Sequence, residues 1–402
     1  MNKNLDFLYS EITEKMKYLK YCISTLTLLG AIFLCFKGEY YPTAFFICFS
    51  LFIILGDILI KEDKGEEKYS YPFLLNLPMY TNFFLLMVIL FLAISVLVGN
   101  VSTTFDNIIF DYFFIDLIQS RESINIVDSI SLVALVGLFI GIMGTVPGHE
   151  LVHRKKNKFD MEIGNWLLAF SWDCAFAIEH VYGHHKNVGL DIDPATAKRG
   201  ENIYKFIFTA MIKEHLDAWK IESYRSQRSN TSLFRISNKM ISGYLRSFCF
   251  TICSFLIGGF SGVLVYLICA LIAKSLLEVI NYSEHYGLVR VEGSPVKPRH
   301  SWNSNSVMSS IYLYNVTRHS SHHEKANLRY WELKSYDDAP KMPQGYLTML
   351  YMALFLPYFF HKMMAKKLVE WDKNFASREE AELAIEQNKS SGIALLQQSV
   401  HS

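Results

Sequence analysis

The chain is expected to fold as an all-α integral membrane protein with six transmembrane helices and a cytosolic helical cap. Three observations predict this: long apolar runs, basic residues gathered on one side of them, and nine histidines in four short clusters. Of 402 residues, 51% are hydrophobic and 15% aromatic, and the mean hydropathy is +0.18. The apolar residues are bunched into runs long enough to cross a bilayer instead of being spread through a soluble core. A formal net charge of +1 excludes a dominant electrostatic attraction to nucleic acid.

Residues 1–17 mix acidic and basic side chains and lack the basic, apolar, cleavage-site order of a secretory signal. They read as a cytosolic N-terminal segment, and the first apolar run as a retained helix. Apolar runs follow near 18–36, 41–60, 79–98, 129–146 and 244–280. The last is too long for one crossing, and Gly258-Gly259-Phe260-Ser261-Gly262 is a turn sequence that divides it, which makes six.

Sidedness follows from lysine and arginine, which accumulate in cytoplasmic loops. With the N-terminus inside, the loop 99–127 lies outside, and it carries Arg121 as its one basic residue against Asp106, Asp111, Asp116 and Glu122. Inside fall Arg154, Lys155, Lys156 and Lys158, then a basic 186–243 segment. The 159–179 stretch is moderately apolar but contains Asp173 and reads as an interfacial or re-entrant helix, as does 347–360, broken by Pro357. The domain reading is a membrane-embedded unit with its cap over 18–365 and a polar cytosolic tail over 366–402, helical around 378–387. The seven cysteines, Cys22, Cys35, Cys48, Cys174, Cys249, Cys253 and Cys269, lack paired metal-site spacing and read as buried packing residues.

The topology brings the histidine clusters to one face. The fourth crossing ends at His149 and His153, the sixth at His285, and the other clusters, His180/His184/His185 and His319/His322/His323, lie in cytosolic segments. Imidazoles three or four residues apart on a helix point the same way, and neutral imidazole is the commonest side-chain metal ligand. In His180-Val-Tyr-Gly-His184-His185, the first and second histidines are one turn apart and the third points about 100° around the helix, so one helix end can serve two ions. The expectation is a nitrogen-rich polyhistidine dimetal site, open between iron, copper, nickel and zinc. Glu150, Glu179, Glu284 and Asp173 are candidate residues supporting the ligands. Glu324, Glu278, Asp191 and Asp193 are further carboxylates for which a solvated or salt-bridged role serves as well. His215, His300, His361 and His401 read as solvated.

The residues resemble a known family, the membrane alkane 1-monooxygenases with their xylene and cymene monooxygenase relatives. The resemblance rests on HELVHRK from His149, EHVYGHH from Glu179, NYSEHYGLVR from Asn281, HSWNSN from His300 and RHSSHH from Arg318. It continues through 193–197 and Asp338-Ala-Pro-Lys-Met-Pro, covering most of 50–365. It implies two non-haem iron ions held by His149, His153, His180, His184, His185, His285, His319, His322 and His323. It further implies oxygen-dependent hydroxylation of the terminal methyl of an alkane to a primary alcohol, in a bacterial cytoplasmic membrane with the metal site on the cytosolic side. Electrons would come from a rubredoxin reduced by an NAD(P)H-dependent reductase, since the chain carries no flavin, haem or iron–sulfur motif.

One position departs from the pattern: Ser321 stands where family members commonly have Asp in the last box. An alkane offers no polar handle, so selectivity falls to an apolar tunnel, for which Phe45, Phe46, Phe49 and Phe52 are candidates beside a plain packing role. Asp57, in the same apolar run, is costly at membrane depth and reads as a support residue of the site or interface. Alternative readings are a methyl hydroxylase of alkyl aromatics, a fatty-acid desaturase or hydroxylase, and an intramembrane zinc protease using His149, Glu150 and His153. The last leaves six histidines unexplained.

Overall fold

The computed structural model describes residues 17–98 and 103–400; there the chain is helical, with one isolated parallel bridge between Asn303 and Lys341. Most of the proposed N-terminal segment lies outside the described residues. Among the described residues, five helices are long and apolar enough to cross a membrane: Lys17–Cys35, whose regular part α1 is Ile23–Cys35; α2, Tyr41–Leu59; α3, Leu77–Val98; α6, Ile126–Val152; and α10, Lys239–His285. Between α3 and α6 lie two short helices, α4 (Thr103–Phe113) and α5 (Leu117–Ser123). Asp116 caps α5 by accepting from the Gln119 N–H, and Asn125 caps α6 through the N–H groups of Val127 and Asp128.

α10 is not a single rod. Gly258 and Gly259 leave helical geometry, Gly259 at φ +58°, a region glycine enters without steric cost. Across this point the Phe250 and Tyr266 rings stand 6.3 Å apart, whereas sixteen residues of continuous helix would separate them by about 24 Å. The chain reverses into two antiparallel arms, as the glycine cluster predicts. α10 packs on α6 and α3, α1 on α3, and α2 on α6. The outer faces stay apolar and uncovered: Ile47, Leu51, Phe52, Leu55 and Ile58 on α2 are about half exposed, a surface suited to lipid. Cys48, Cys249 and Cys253 lie on such exposed faces, so the reading of all seven cysteines as buried holds for only part of the set.

The cap is built from α7 (Lys158–Ala169), the helical stretch α8 over 176–187, α9 (Ile203–Arg228), α11 (Val307–Tyr312), α12 (His319–Glu324), α13 (Tyr346–Phe355), α14 (Pro357–Asn374), α15 (Arg378–Ser390) and α16 (Ala394–Ser399). The 159–179 stretch holds no helix long enough to cross a bilayer: α7 stops at Ala169, the backbone turns at Trp172 with φ +54°, and α8 begins after it. α13 and α14 part at Leu356, before Pro357, where proline disfavours a helical predecessor.

Two ties hold the cap on the helices. Asp57, buried near the end of α2, accepts from the hydroxyls of Ser306 (2.5 Å), Ser309 (2.7 Å) and Thr348 (2.9 Å) and from the N–H groups of Ser309 (2.9 Å) and Thr348 (3.3 Å). Gly345 makes room for it, since a Cβ there would lie 2.2 Å from the carboxylate. The second tie is the tail. Arg199 donates to Asp372 and Asn388 at 2.7 Å and to the Gly287 carbonyl at 2.8 Å. Arg299 donates to Glu380 at 2.7 and 3.0 Å, and the Trp371 indole to the Arg299 carbonyl at 2.7 Å.

Candidate metal centre

All nine histidines of the four clusters meet in one pocket, in two groups: His149, His153, His180, His185 and His322, and His184, His285, His319 and His323. Within each group the candidate ligand atoms lie within 4.8 Å of one another. Eight of the nine are buried, and His185 is partly exposed. In the five-histidine group the Nε2 atoms of His149 and His322 are 3.1 Å apart, of His322 and His185 3.1 Å, and of His185 and His180 3.2 Å. In the other group the separations are 3.3 Å for His184 and His323, 2.9 Å for His323 and His319, and 3.1 Å for His319 and His285.

Local helix geometry sorts the ligands. α12 is a single short helix, so His319 and His323, four apart, fall together and His322 turns to the other group. α8 behaves differently: its His180–His184 stretch is a widened π turn, in which residues five apart come over one another. His180 therefore pairs with His185, and His184 goes to the four-histidine group. The spacing alone suggests that His180 and His184 serve one ion and His185 the other; the rings of His180 and His184 do stack, at 5.1 Å, but their nitrogens go to different groups. A second π turn at Gly141–Thr145 in α6 precedes His149 and His153, which share the five-histidine group.

Six of the imidazoles are prepared as neutral donors. Burial first, and then neighbouring histidines, hold His153, His180, His185, His319, His322 and His323 well below the ordinary imidazole value, so their lone pairs are free at neutral pH. Two ring orientations are fixed from behind. His184 Nδ1 lies 2.9 Å from Asp193 Oδ2, and His285 Nδ1 donates to the His300 carbonyl at 3.0 Å. Both contacts leave Nε2 facing the pocket. Burial alone would raise Asp193, but the His184 contact keeps it below the ordinary carboxylate value.

The donor set fits a pair of first-row metal ions. Two nitrogens each about 2.1 Å from a shared ion and roughly at right angles lie about 3 Å apart, which is the spacing in both groups. His153 Nε2 is buried without a hydrogen-bond partner, as expected of a nitrogen reserved for a metal. Glu284 fits too: its Oε2 is 3.2 Å from His319 Nε2, and its Oε1 is buried without a partner.

The other candidate support residues are placed elsewhere. Glu150 accepts from Arg154 at 2.7 and 3.0 Å, and Arg154 also donates to Asp160 at 3.0 Å. The glutamate of the HExxH string is thus held in an ion pair instead of standing free as a general base. Asp173 binds Lys274 at 2.8 Å, in a buried knot that includes Glu278 (3.0 Å) and Glu214 (3.3 Å). Glu179 is buried beside this knot, and burial, reinforced by Asp193, Asp217 and Glu278, raises its carboxyl well above the ordinary value.

Reading His215, His300 and His361 as solvated is overturned. His300 is fully buried because the Pro298–His300 turn carries its ring inward, where it donates to Glu380 Oε1 at 2.8 Å. His361 and His215 are half-buried, with ring nitrogens 3.1 Å from the Tyr282 hydroxyl and 2.6 Å from the Tyr244 hydroxyl. His401 lies outside the described residues. The sequence reading missed the His300 carbonyl, which carries no side-chain signature. It also passed over Lys274, which the presence of a lysine inside an apolar run could have flagged. Ser321 is buried, and its hydroxyl accepts from the Lys334 N–H at 3.0 Å, away from the histidines.

Comparison with known proteins agrees with this geometry. Residues 129–353 match the fatty acid desaturase family, a region that contains all nine histidines. The chain is similar to alkane 1-monooxygenase 1 of Pseudomonas aeruginosa, with 35% identity over 63% of this chain and 66% of the relative. It is 33% identical to alkane 1-monooxygenase 2 of Alcanivorax borkumensis, over 63% of this chain and 67% of the relative. It is 32% identical to the xylene/toluene monooxygenase hydroxylase component of Pseudomonas putida, over 62% and 68%. The chain thus aligns with just under two thirds of the first of these relatives.

Proposed function

Because the chain belongs to the fatty acid desaturase family and, within it, to the membrane alkane 1-monooxygenases and their xylene monooxygenase relatives, we propose that it is a diiron monooxygenase. Its substrate is an alkane, oxidised at the terminal methyl to a primary alcohol with molecular oxygen. Its electrons come from rubredoxin and an NAD(P)H-dependent reductase. The observation that carries this reading is the convergence of nine imidazoles in two groups with ligand-like nitrogen spacing.

His149, His153, His180, His185 and His322 hold one iron, and His184, His285, His319 and His323 the other, with Glu284 beside the second. When bound, the two irons supply the reductive activation of oxygen that imidazole cannot perform. The chain's own part is orientation and exclusion. Asp193 and the His300 carbonyl aim His184 and His285, and the surrounding burial keeps water from the reacting atoms. The substrate arrives from lipid. Phe45, Phe49, Phe52 and Tyr312 line an apolar groove of about 440 Å³ on the uncovered side of α1 and α2, which suits an unbranched hydrocarbon.

The two arms of α10 count as separate crossings, giving six, with the cap, the metal centre and the N-terminus on the cytosolic side of the bacterial inner membrane. The charge distribution supports this sidedness. The test is purification in detergent, quantification of bound iron, and product analysis with octane, hexadecane and xylene in the presence of rubredoxin and its reductase. Iron-dependent formation of 1-alkanols is expected. Products from xylene alone would move the chain to the alkyl-aromatic branch, and alcohol formation independent of iron would overturn the mechanism.

A further inference from the structure

We propose that the cap binds one anionic phospholipid of the surrounding bilayer, its phosphate held by Lys362 and Lys366 in a cavity between α14, the start of α9 and the tail. The cavity encloses about 650 Å³, within the range that takes a small-molecule group. The inference needs only a membrane-embedded chain, so it goes beyond the reaction assigned above and stands or falls apart from it.

α13 and α14 form a dip toward the lipid. Thr348 in α13 bonds Asp57, near the end of α2, and one turn later the Tyr351 hydroxyl is 2.9 Å from that of Ser50, seven residues deeper in the same apolar helix. The tip of the dip is apolar and uncovered: Phe355, Leu356, Tyr358 and Phe359 are more than half exposed. From there α14 climbs back along the end of α10. Its Phe360 ring centre is 5.4 Å from that of Tyr282 and 5.2 Å from that of Tyr286, and Leu368 packs on Gly287 beyond them. Tyr358, Lys362 and Lys366 share one helix face at four-residue spacing, which puts the two lysines about 6 and 12 Å up the helix from the tip. At that height a lysine reaches the phosphate layer while its carbons stay on apolar surface. α9 lies along the same surface: Tyr204, Phe208, Ile212 and Leu216, four residues apart, are at least half exposed, and the Tyr204 hydroxyl donates to the Leu354 carbonyl at 2.6 Å.

The lining of the cavity pairs charge with hydrocarbon. Lys362 and Lys366 are exposed, among the described residues neither forms an ion pair, and no carboxylate lines the cavity. Ile203, Ile393 and Leu395 supply its apolar wall. A pure hydrocarbon would leave two ammonium groups unused, and a small soluble anion would leave the apolar wall unused; a phosphodiester carrying acyl chains uses both. The wall depends on a close approach of cap and tail. A Cβ on Gly200, at φ +79°, would lie 1.9 Å from the Ser391 carbonyl oxygen, so a residue without one is required there. At the floor, His361 has ring nitrogens 3.1 Å from the Tyr282 hydroxyl and 3.4 Å from that of Tyr286, which ties the cavity to the end of α10 that carries His285.

Native mass spectrometry of the full-length protein released from nanodiscs reads the site apart from activity. The bilayers are phosphatidylcholine alone or mixed with phosphatidylglycerol. Wild type is compared with Lys362→Gln/Lys366→Gln, with Lys367→Gln/Lys373→Gln, which removes the same charge from the same helix outside the cavity, and with Ala394→Trp, which fills the cavity and keeps its charge. Wild type and the Lys367/Lys373 variant are expected to retain one phosphatidylglycerol per chain in preference to phosphatidylcholine. Retention should fall about tenfold or more in the Lys362/Lys366 variant and fall as well in Ala394→Trp, and inorganic phosphate should not displace the lipid. Added phosphatidylglycerol should raise the melting temperature in detergent of the first two proteins and not of the other two. Should Lys362→Gln/Lys366→Gln fail to fold, Ala394→Trp carries the test. No preference for phosphatidylglycerol, equal loss in both lysine variants, unchanged retention in Ala394→Trp, or displacement by inorganic phosphate overturns the proposal. Retention as expected in a protein that makes no alcohol from any hydrocarbon would leave the lipid site standing and defeat the functional reading.

Discussion

At the scale of single residues, the account turns on which imidazole serves which ion. His184 and His185 are neighbours in sequence yet belong to different groups. His184→Ala is expected to reduce iron to about one ion per chain by emptying the four-histidine site, and His185→Ala to weaken the other; iron analysis paired with Mössbauer spectra of the two variants reads the difference. If both variants lose the same spectral component, the assignment of His184 and His185 to separate ions is wrong. Ser321 carries the opposite expectation. Its hydroxyl caps the Lys334 N–H, a task that a carboxylate also performs, so Ser321→Asp should leave the iron content unchanged; a changed content would mean that this position acts on a ligand after all. The convergence of the histidines was legible in sequence because their type and helical spacing are those a metal site would require. Their partition was not, because it depends on a π turn whose hydrogen bonding has no residue signature.

Among elements, the devices that hold the cap decide how firmly the site is kept. Five hydrogen bonds end on Asp57, and removing the carboxylate strands several buried donors at once. Asp57→Ala should therefore cost about 3 kcal/mol or more, visible as a lower melting temperature in detergent; an unchanged midpoint would reduce the staple to an ornament. The tail has a pH signature. Burial alone would raise Glu380, but the hydrogen bonds from His300 and Arg299 hold it at about 2, against an ordinary 4.5. Since the folded value is the lower one, this tie is fully present above about pH 4.5 and is lost as pH falls toward 2. Amide protection in α15 and α16, taken relative to the intrinsic exchange rate at each pH, should fall across that window in wild type and be low throughout in Glu380→Gln. A flat profile in wild type would contradict the tie. Because the His300 carbonyl receives the His285 ring, the tail stands one residue away from a candidate ligand. The sequence marked α15 as a helix, and Ser377 with Glu380 does form a capping box. Its docking was invisible because Arg199, Arg299 and Glu380 are far apart in the chain and look like ordinary surface charges. Asp57, by contrast, announced itself as a charge in an apolar run.

In the whole molecule, apolar helices and a polar cap divide the labour: the helices offer an uncovered hydrocarbon surface, and the cap gathers imidazoles from α6, α8, α10 and α12 into one enclosed place. The glycine turn in α10 was readable because only a reversal reconciles its length with a bilayer. The enclosure depends on contacts between segments more than a hundred residues apart, which periodicity does not encode. The most direct test of the central claim is the metal content of the purified full-length protein together with its iron K-edge absorption spectrum. The account predicts two irons per chain with first shells dominated by imidazole nitrogen. A single ion per chain, zinc in place of iron, or a shell dominated by oxygen or sulfur would contradict it.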